Sequence, residues 1–133
     1  MKLRSPFIAA LALVATCAGA ADLVVIANPA SATPLSKDQV SDLFLGKSQS
    51  LAPVDQPEGS GVYADFYRKA TGRDVAQVKA TWARLVFSGK AQAPRQLADS
   101  AAVKKAVAAD PKAVGYIEKS AVDPTVKVVL SLD

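Results

Sequence analysis

The stretch "VDQPEGSGVYADFY", Val54 to Tyr67, holds a strand-like end, a turn, a Gly-Ser-Gly step and the start of an amphipathic run. Val62, Phe66 and Ala70 fall on one helical stripe, with Gly72 closing the run and Tyr63 and Tyr67 on its shoulder, either half-buried there or lining a cleft or partner surface. Two readings of Gly59-Ser60-Gly61 follow. In one, the glycines let the backbone approach a ligand, Ser60 adds a hydroxyl donor, and the free N–H groups and dipole of the helix start attract an anion. In the other, Ser60 is an N-cap that accepts a bond from its own helix, and the glycines serve a tight turn. A carboxylate at Glu58 would repel an anion unless it is paired or turned away.

Outward from this stretch the chain alternates strand and helix. Leu23-Val24-Val25-Ile26-Ala27 is a short apolar, β-branched run ended by Asn28-Pro29, as in a buried parallel strand. Ser36 and Gln39 have capping-box spacing, Val40, Leu43 and Phe44 share a face, and Gly46 stops that helix. A second strand fits Ala52 to Asp55. Asp74 and Gln77 open a third helix with Val75, Val78, Trp82, Leu85 and Val86 on its apolar face, ended by Gly89. Trp82 could stack on a ligand, but its place in the apolar stripe assigns it to the core, while Lys90 and Arg95 lie in a loop that is either plainly solvated or a source of positive charge for a site. A fourth helix runs from about Ser100 to Ala109 with Val103, Ala106 and Val107 inward, stopped before Pro111. Val114 to Ile117 and Val126 to Leu130 supply two closing strands.

This order predicts a three-layer α/β/α fold around a mostly parallel sheet of about four to five strands. Right-handed crossovers make at least the first two strands parallel. Ligands in open α/β sheets sit beyond the carboxyl ends of strands, so the loops Asn28 to Pro34 and Gln56 to Gly61 are expected on one edge. Asn28 and Ser31 would then either donate to a ligand held at Ser60 or form a polar turn beside Pro29.

Composition sets the class. Met1-Lys2-Leu3-Arg4, the apolar stretch Phe7 to Ala15 and the small-residue pattern Ala18-Gly19-Ala20 read as a signal peptide over 1–20, leaving one domain over 21–133 that is periplasmic or secreted. The apolar stretch falls short of a membrane span, and no longer one follows. Cys17 raises lipidation as an alternative fate, because a lipoprotein signal also places its cysteine after small residues. The chain carries 16 Lys and Arg against 12 Asp and Glu; without Lys2 and Arg4 the balance is 14 minus 12, or +2, and scattered. Nucleic acid is therefore not an expected partner.

There is no histidine, and the single cysteine leaves with the signal, which removes His-based triads, thiol nucleophiles and most transition-metal sites. Ser60 does not fit a nucleophile elbow, since Glu58 and Val62 stand where glycines are needed. Gly46-Lys47-Ser48 follows a helix instead of opening one, so it reads as a helix stop and not a nucleotide loop. No catalysis, cofactor or metal is expected.

Four motifs together carry a family resemblance: "LSKDQVSDLFLGK", Gly59-Ser60-Gly61 opening a helix, "TWARLVFSGK", and "VGYIEKSAV" after Asp110-Pro111. The span Leu35 to Val122 resembles one lobe of the substrate-binding proteins of phosphate ABC transporters, the type II periplasmic binding proteins. The resemblance implies that Ser60 and Gly61, with Gly59 beside them, donate hydrogen bonds to phosphate or a related oxyanion. It also implies two changes at the site: Gln56 stands where the family has an arginine, and Val62 where it has a threonine. A neutral amide cannot reproduce the bidentate, charge-assisted bonds of arginine. Family members close two lobes on the ligand, whereas these residues hold one. The expectation is thus an exported oxyanion-binding module, for ABC-type phosphate uptake with a permease, or else an interaction module that has lost its ligand and meets an envelope protein or a second copy. A homodimer that rebuilds the cleft would satisfy both.

Overall fold

A computed structural model describes residues 22–132; the signal-like segment and Cys17 lie outside the described residues. The elements are β1 (Leu23–Ala27), α1 (Lys37–Phe44), β2 (Ala52–Asp55), α2 (Gly61–Thr71), α3 (Val75–Phe87), β3 (Arg95–Gln96), α4 (Ser100–Ala109), β4 (Ala113–Glu118) and β5 (Lys127–Leu132). The strands form one sheet in the order β3-β2-β4-β1-β5. Parallel ladders join β2 to β3 and β4, and antiparallel ladders join β1 to β4 and β5. Four strands therefore point one way and β1 alone opposes them, which makes the sheet mostly parallel.

Local chemistry explains the helix boundaries. Ser36 with Gln39 and Asp74 with Gln77 form complete capping boxes at the starts of α1 and α3. Gly72 ends α2 at φ 76°, a left-handed conformation that glycine adopts without penalty. Gly46, at φ 79°, does the same after α1, and there the space is closed as well: an added Cβ would stand 2.6 Å from Leu85 Cδ1 and 3.0 Å from Trp82 Cη2.

Side chains alternate between the two faces of the sheet, as strand geometry requires. Leu23, Val25, Ala27, Val114 and Tyr116 pack with Phe44, Phe66, Tyr67, Val78 and Trp82 from α1, α2 and α3. Val24, Ile26, Val54 and Ile117 pack on the other face with Val103 and Val107 of α4. Both faces are covered, so β1 is apolar throughout and wholly buried. Trp82 is core, as its stripe predicts, and its indole N–H donates to the Phe44 carbonyl at 2.9 Å.

Five expectations are corrected. β1 and β2 are antiparallel, because β4, from the far end of the chain, inserts between them; an apolar run encodes burial and not direction. The ends Asn28 and Asp55 consequently lie on opposite edges of the sheet. Tyr63 and Tyr67 are fully buried and not half-buried, since α2 packs against α1, α3 and the sheet. Val86 is half exposed and Phe87 is 95% exposed, because α3 packs chiefly on α2 and not on the sheet, which leaves its last turn uncovered. The segment from Lys90 is not all loop: Arg95–Gln96 adds a strand too short to leave a periodic signal.

Gly115 sits under α4, where an added Cβ would meet Val103 Cγ1 at 2.5 Å and Val54 Cγ2 at 3.0 Å. Gly115→Ala is expected to lower stability by about 1–3 kcal/mol, the usual cost of overpacking a filled core. Urea midpoints of the two proteins check this.

Candidate functional site

The carboxyl end of β2 delivers the chain to the turn that starts α2. Ser60 takes an extended conformation, φ −87° and ψ 151°, and its Oγ accepts the Tyr63 N–H at 3.2 Å while donating to the Pro57 carbonyl at 2.6 Å. The Ser60 backbone N–H also donates to Pro57, at 2.9 Å. The hydroxyl proton is thus committed inside the turn. Gly59 and Gly61 are exposed, and nothing stands within 4 Å of where their Cβ atoms would be. The backbone N–H groups of Gly61 and Val62 have no partner among the described residues, as the first turn of a helix leaves them. They form the open, positive end of the α2 dipole.

Beneath this turn lies a buried carboxylate that sequence reasoning passed over. Asp55 is 3% exposed and accepts from the Tyr116 hydroxyl at 2.8 Å and from the Tyr67 hydroxyl at 3.1 Å and 2.9 Å, one distance to each carboxylate oxygen. Burial pushes its pKa up from 3.8 to about 7; the two phenols pull it down, and Glu58 pushes it further up. Burial also raises the Tyr67 and Tyr116 phenols, with Asp55 the next cause in each. The available signal was a lone acid closing the run Ala52-Pro53-Val54-Asp55, a polar group where an apolar strand would end inside the protein.

The other candidate residues separate. Gln56 is buried, with its Nε2 donating to Tyr116 O and Ser100 Oγ, both at 3.0 Å, and its backbone N–H to the Tyr116 hydroxyl at 3.1 Å. Its side chain is held within the fold beside β4. Val62 is half-buried on α2. Asn28 and Ser31, on the opposite edge, do not join the turn at Ser60. Asn28 Nδ2 donates to the carbonyls of Val107 and Ala108 at 3.0 Å each, satisfying the last turn of α4, and Ser31 Oγ donates to the Pro111 carbonyl. The expectation that both loops share an edge is overturned by the antiparallel β1.

A recess of about 150 Å³ opens beside the first turn of α2, lined by Asp55, Glu58, Tyr63, Lys79, Trp82, Ala93, Pro94 and Gln96. Glu58 is paired with Lys79 at 3.4 Å. A wider groove of about 950 Å³ runs along the start of β2, and Lys90 and Arg95 line it, not the recess. Among the described residues there is no cluster of metal-ligating side chains.

The raised Asp55 pKa fixes the sign of a pH effect. The folded state holds a proton that the unfolded chain releases, so this contribution is complete below pH 3.8 and is lost as pH rises to about 7. The ceiling is about 4 kcal/mol, at 1.36 kcal/mol per unit. The urea midpoint of the wild type is expected to fall between pH 5 and 8, and that of Asp55→Asn to stay flat across the same interval.

No family model matches the sequence, and no curated protein matches it. Solved structures do. An ABC-type phosphate transport receptor from Vibrio cholerae superposes with a TM-score of 0.64 at 21% identity, covering 82% of this chain and 46% of that one. A phosphate-bound putative phosphate ABC transporter substrate-binding protein from Clostridium perfringens gives 0.60 at 21% identity, with 82% and 44% covered. PstS from Borrelia burgdorferi gives 0.61 at 12% identity, with 83% and 47% covered. The chain spans less than half the length of each. By their descriptions the first is a transport receptor and the second a substrate-binding protein. The likeness is one of fold: the chain takes the α/β architecture of a little under half of each of these phosphate-transport proteins.

Proposed function

We propose that this chain is an exported solute-binding module that holds phosphate or a similar oxyanion at the start of α2. The observation that carries the reading is the pair of N–H groups, Gly61 and Val62, without a partner among the described residues, at an open helix start on the edge where strands β2 and β4 end. Likeness to phosphate receptors supports it. Ser60 shapes the turn and Gly59 keeps the approach clear. Gln56, Asn28 and Ser31 contribute no direct contact. No arginine reaches the site by sequence position, and a charge-assisted bond contributes about 1.5–3 kcal/mol, so this half-site alone binds weakly. A second surface completes it, supplied by another copy of the chain or by an envelope protein, with delivery to an ABC permease as the use.

A second reading has its own observation. The Ser60 hydroxyl is already engaged, two carboxylates stand beside the helix start, and Phe87 is exposed next to half-exposed Val86. These features favour an interaction module without a small ligand.

Gly61→Pro separates the readings. It deletes one donor N–H at a helix position that proline favours, after a residue already extended, so α2 is retained. Titration calorimetry with phosphate and sulfate is expected to show binding by the wild type and at least tenfold weaker binding by Gly61→Pro, with unchanged helical circular dichroism. Absence of heat from the wild type with either anion overturns the oxyanion reading and leaves the interaction module, which sedimentation with and without Phe87→Ser then addresses.

A further inference from the structure

The recess beside α2 has the wrong chemistry for a bare dianion. Of its three ionisable side chains other than Tyr63, two are acids, and its one cation, Lys79, is already paired with Glu58. Tyr63, Trp82 and Pro94 are among the residues that line it. At about 150 Å³ it has the volume of about five water molecules at ~30 Å³ each, enough for a small ammonium head group.

Two buried polar groups in its wall have capacity to use. The Tyr63 residue is 3% exposed, and its hydroxyl has no partner among the described residues. A buried phenol that bonds to nothing among the described residues has its hydrogen-bonding capacity left over for a partner. Burial raises this phenol, and Asp55 and then Glu58 raise it further, which places the hydroxyl within the field of both acids. The Asp55 carboxylate accepts from two phenols, and a carboxylate offers about four lone-pair sites, so it can take a further donor.

We propose that this recess binds an ammonium group, and that the ligand of the module is a zwitterion: an oxyanion on the α2 N–H groups carrying a primary or methylated amine that enters between Asp55, Glu58 and Tyr63. The class is that of phosphorylated amino alcohols. The inference rests on the oxyanion reading above and explains how two carboxylates are tolerated beside it. The ammonium neutralises them, donates to the vacant phenol oxygen when it carries N–H groups, and lies against the aromatic faces as cations do. A free phosphate leaves the acids uncompensated and the phenol unpaired.

Phosphoethanolamine, phosphocholine and ethyl phosphate, matched in ionic strength and pH, test this by calorimetry on the wild type, Tyr63→Phe and Asp55→Asn. Phosphoethanolamine is expected to bind at least tenfold more tightly than ethyl phosphate. Tyr63→Phe, which removes only a hydroxyl without a protein partner, keeps the fold even if Asp55→Asn does not, and is expected to narrow the ratio. Equal affinity for the amino and plain phosphates overturns the inference and leaves the oxyanion reading standing. Binding of none of the three by the wild type overturns both. A wild-type preference that Tyr63→Phe leaves intact removes the phenol, and with it the recess as argued, from recognition.

Discussion

The Asp55 carboxylate, buried between the hydroxyls of Tyr67 and Tyr116, ties together the three elements on which the site depends. Asp55 ends β2, Tyr67 lies in the middle of α2 and Tyr116 is central in β4. Tyr116 hands its hydrogen bonds on: its hydroxyl accepts from the Gln56 N–H and its carbonyl from the Gln56 side chain. The same ring stacks on Phe66 at 3.8 Å and 3°, and Phe44 meets both edge-on. A polar network is thereby embedded in an aromatic cluster, where an unsatisfied member would be costly. The turn from Gln56 to Ser60 leaves this anchor in one direction only. That is what points the α2 start outward at the strand ends.

The network also explains why Gln56 does not act as a looser version of an arginine. An arginine at that place would bring charge to the cleft. The amide here is short, neutral and satisfied by Tyr116 and Ser100, so it is drawn inward. Electrostatics at the α2 start are left to backbone dipoles, with Asp55 and Glu58 opposing. In the proposal made above, this balance favours a ligand that brings its own cation, because Lys79 is paired with Glu58 and not with Asp55.

β1 is the second organising constraint. Buried on both faces and paired on both sides, it separates β4 from β5 and reverses the sense of its own terminal loop. The polar pair Asn28 and Ser31 then serves as a clasp on the α4 end and the segment leading into β4, not as part of a ligand site. The same residue types that suggest ligation are equally suited to satisfying orphan carbonyls, and only the neighbours decide which.

Local periodicity and caps determined the elements: the strand Leu23 to Ala27, both capping boxes, the glycine stops at Gly46, Gly72 and Gly89, the helix Ser100 to Ala109 and the core position of Trp82 were all legible, because each depends on residues within a turn or two. The α/β layering and the helix start at Gly59-Ser60-Gly61 followed from their order. Strand direction, the shared or opposite edges of loops, the burial of Asp55 and Gln56, and the vacancy at the Tyr63 hydroxyl were not legible. Each depends on what a residue meets from about 60 or more positions away, as when Tyr116 reaches Asp55 or Val107 reaches Asn28, or, for Tyr63, on which group the fold fails to bring to it. The sequence by itself determined a capped helix start at Gly59-Ser60-Gly61; only the tertiary structure decided which side chains surround it, because long-range pairing sets strand sense and burial sets charge.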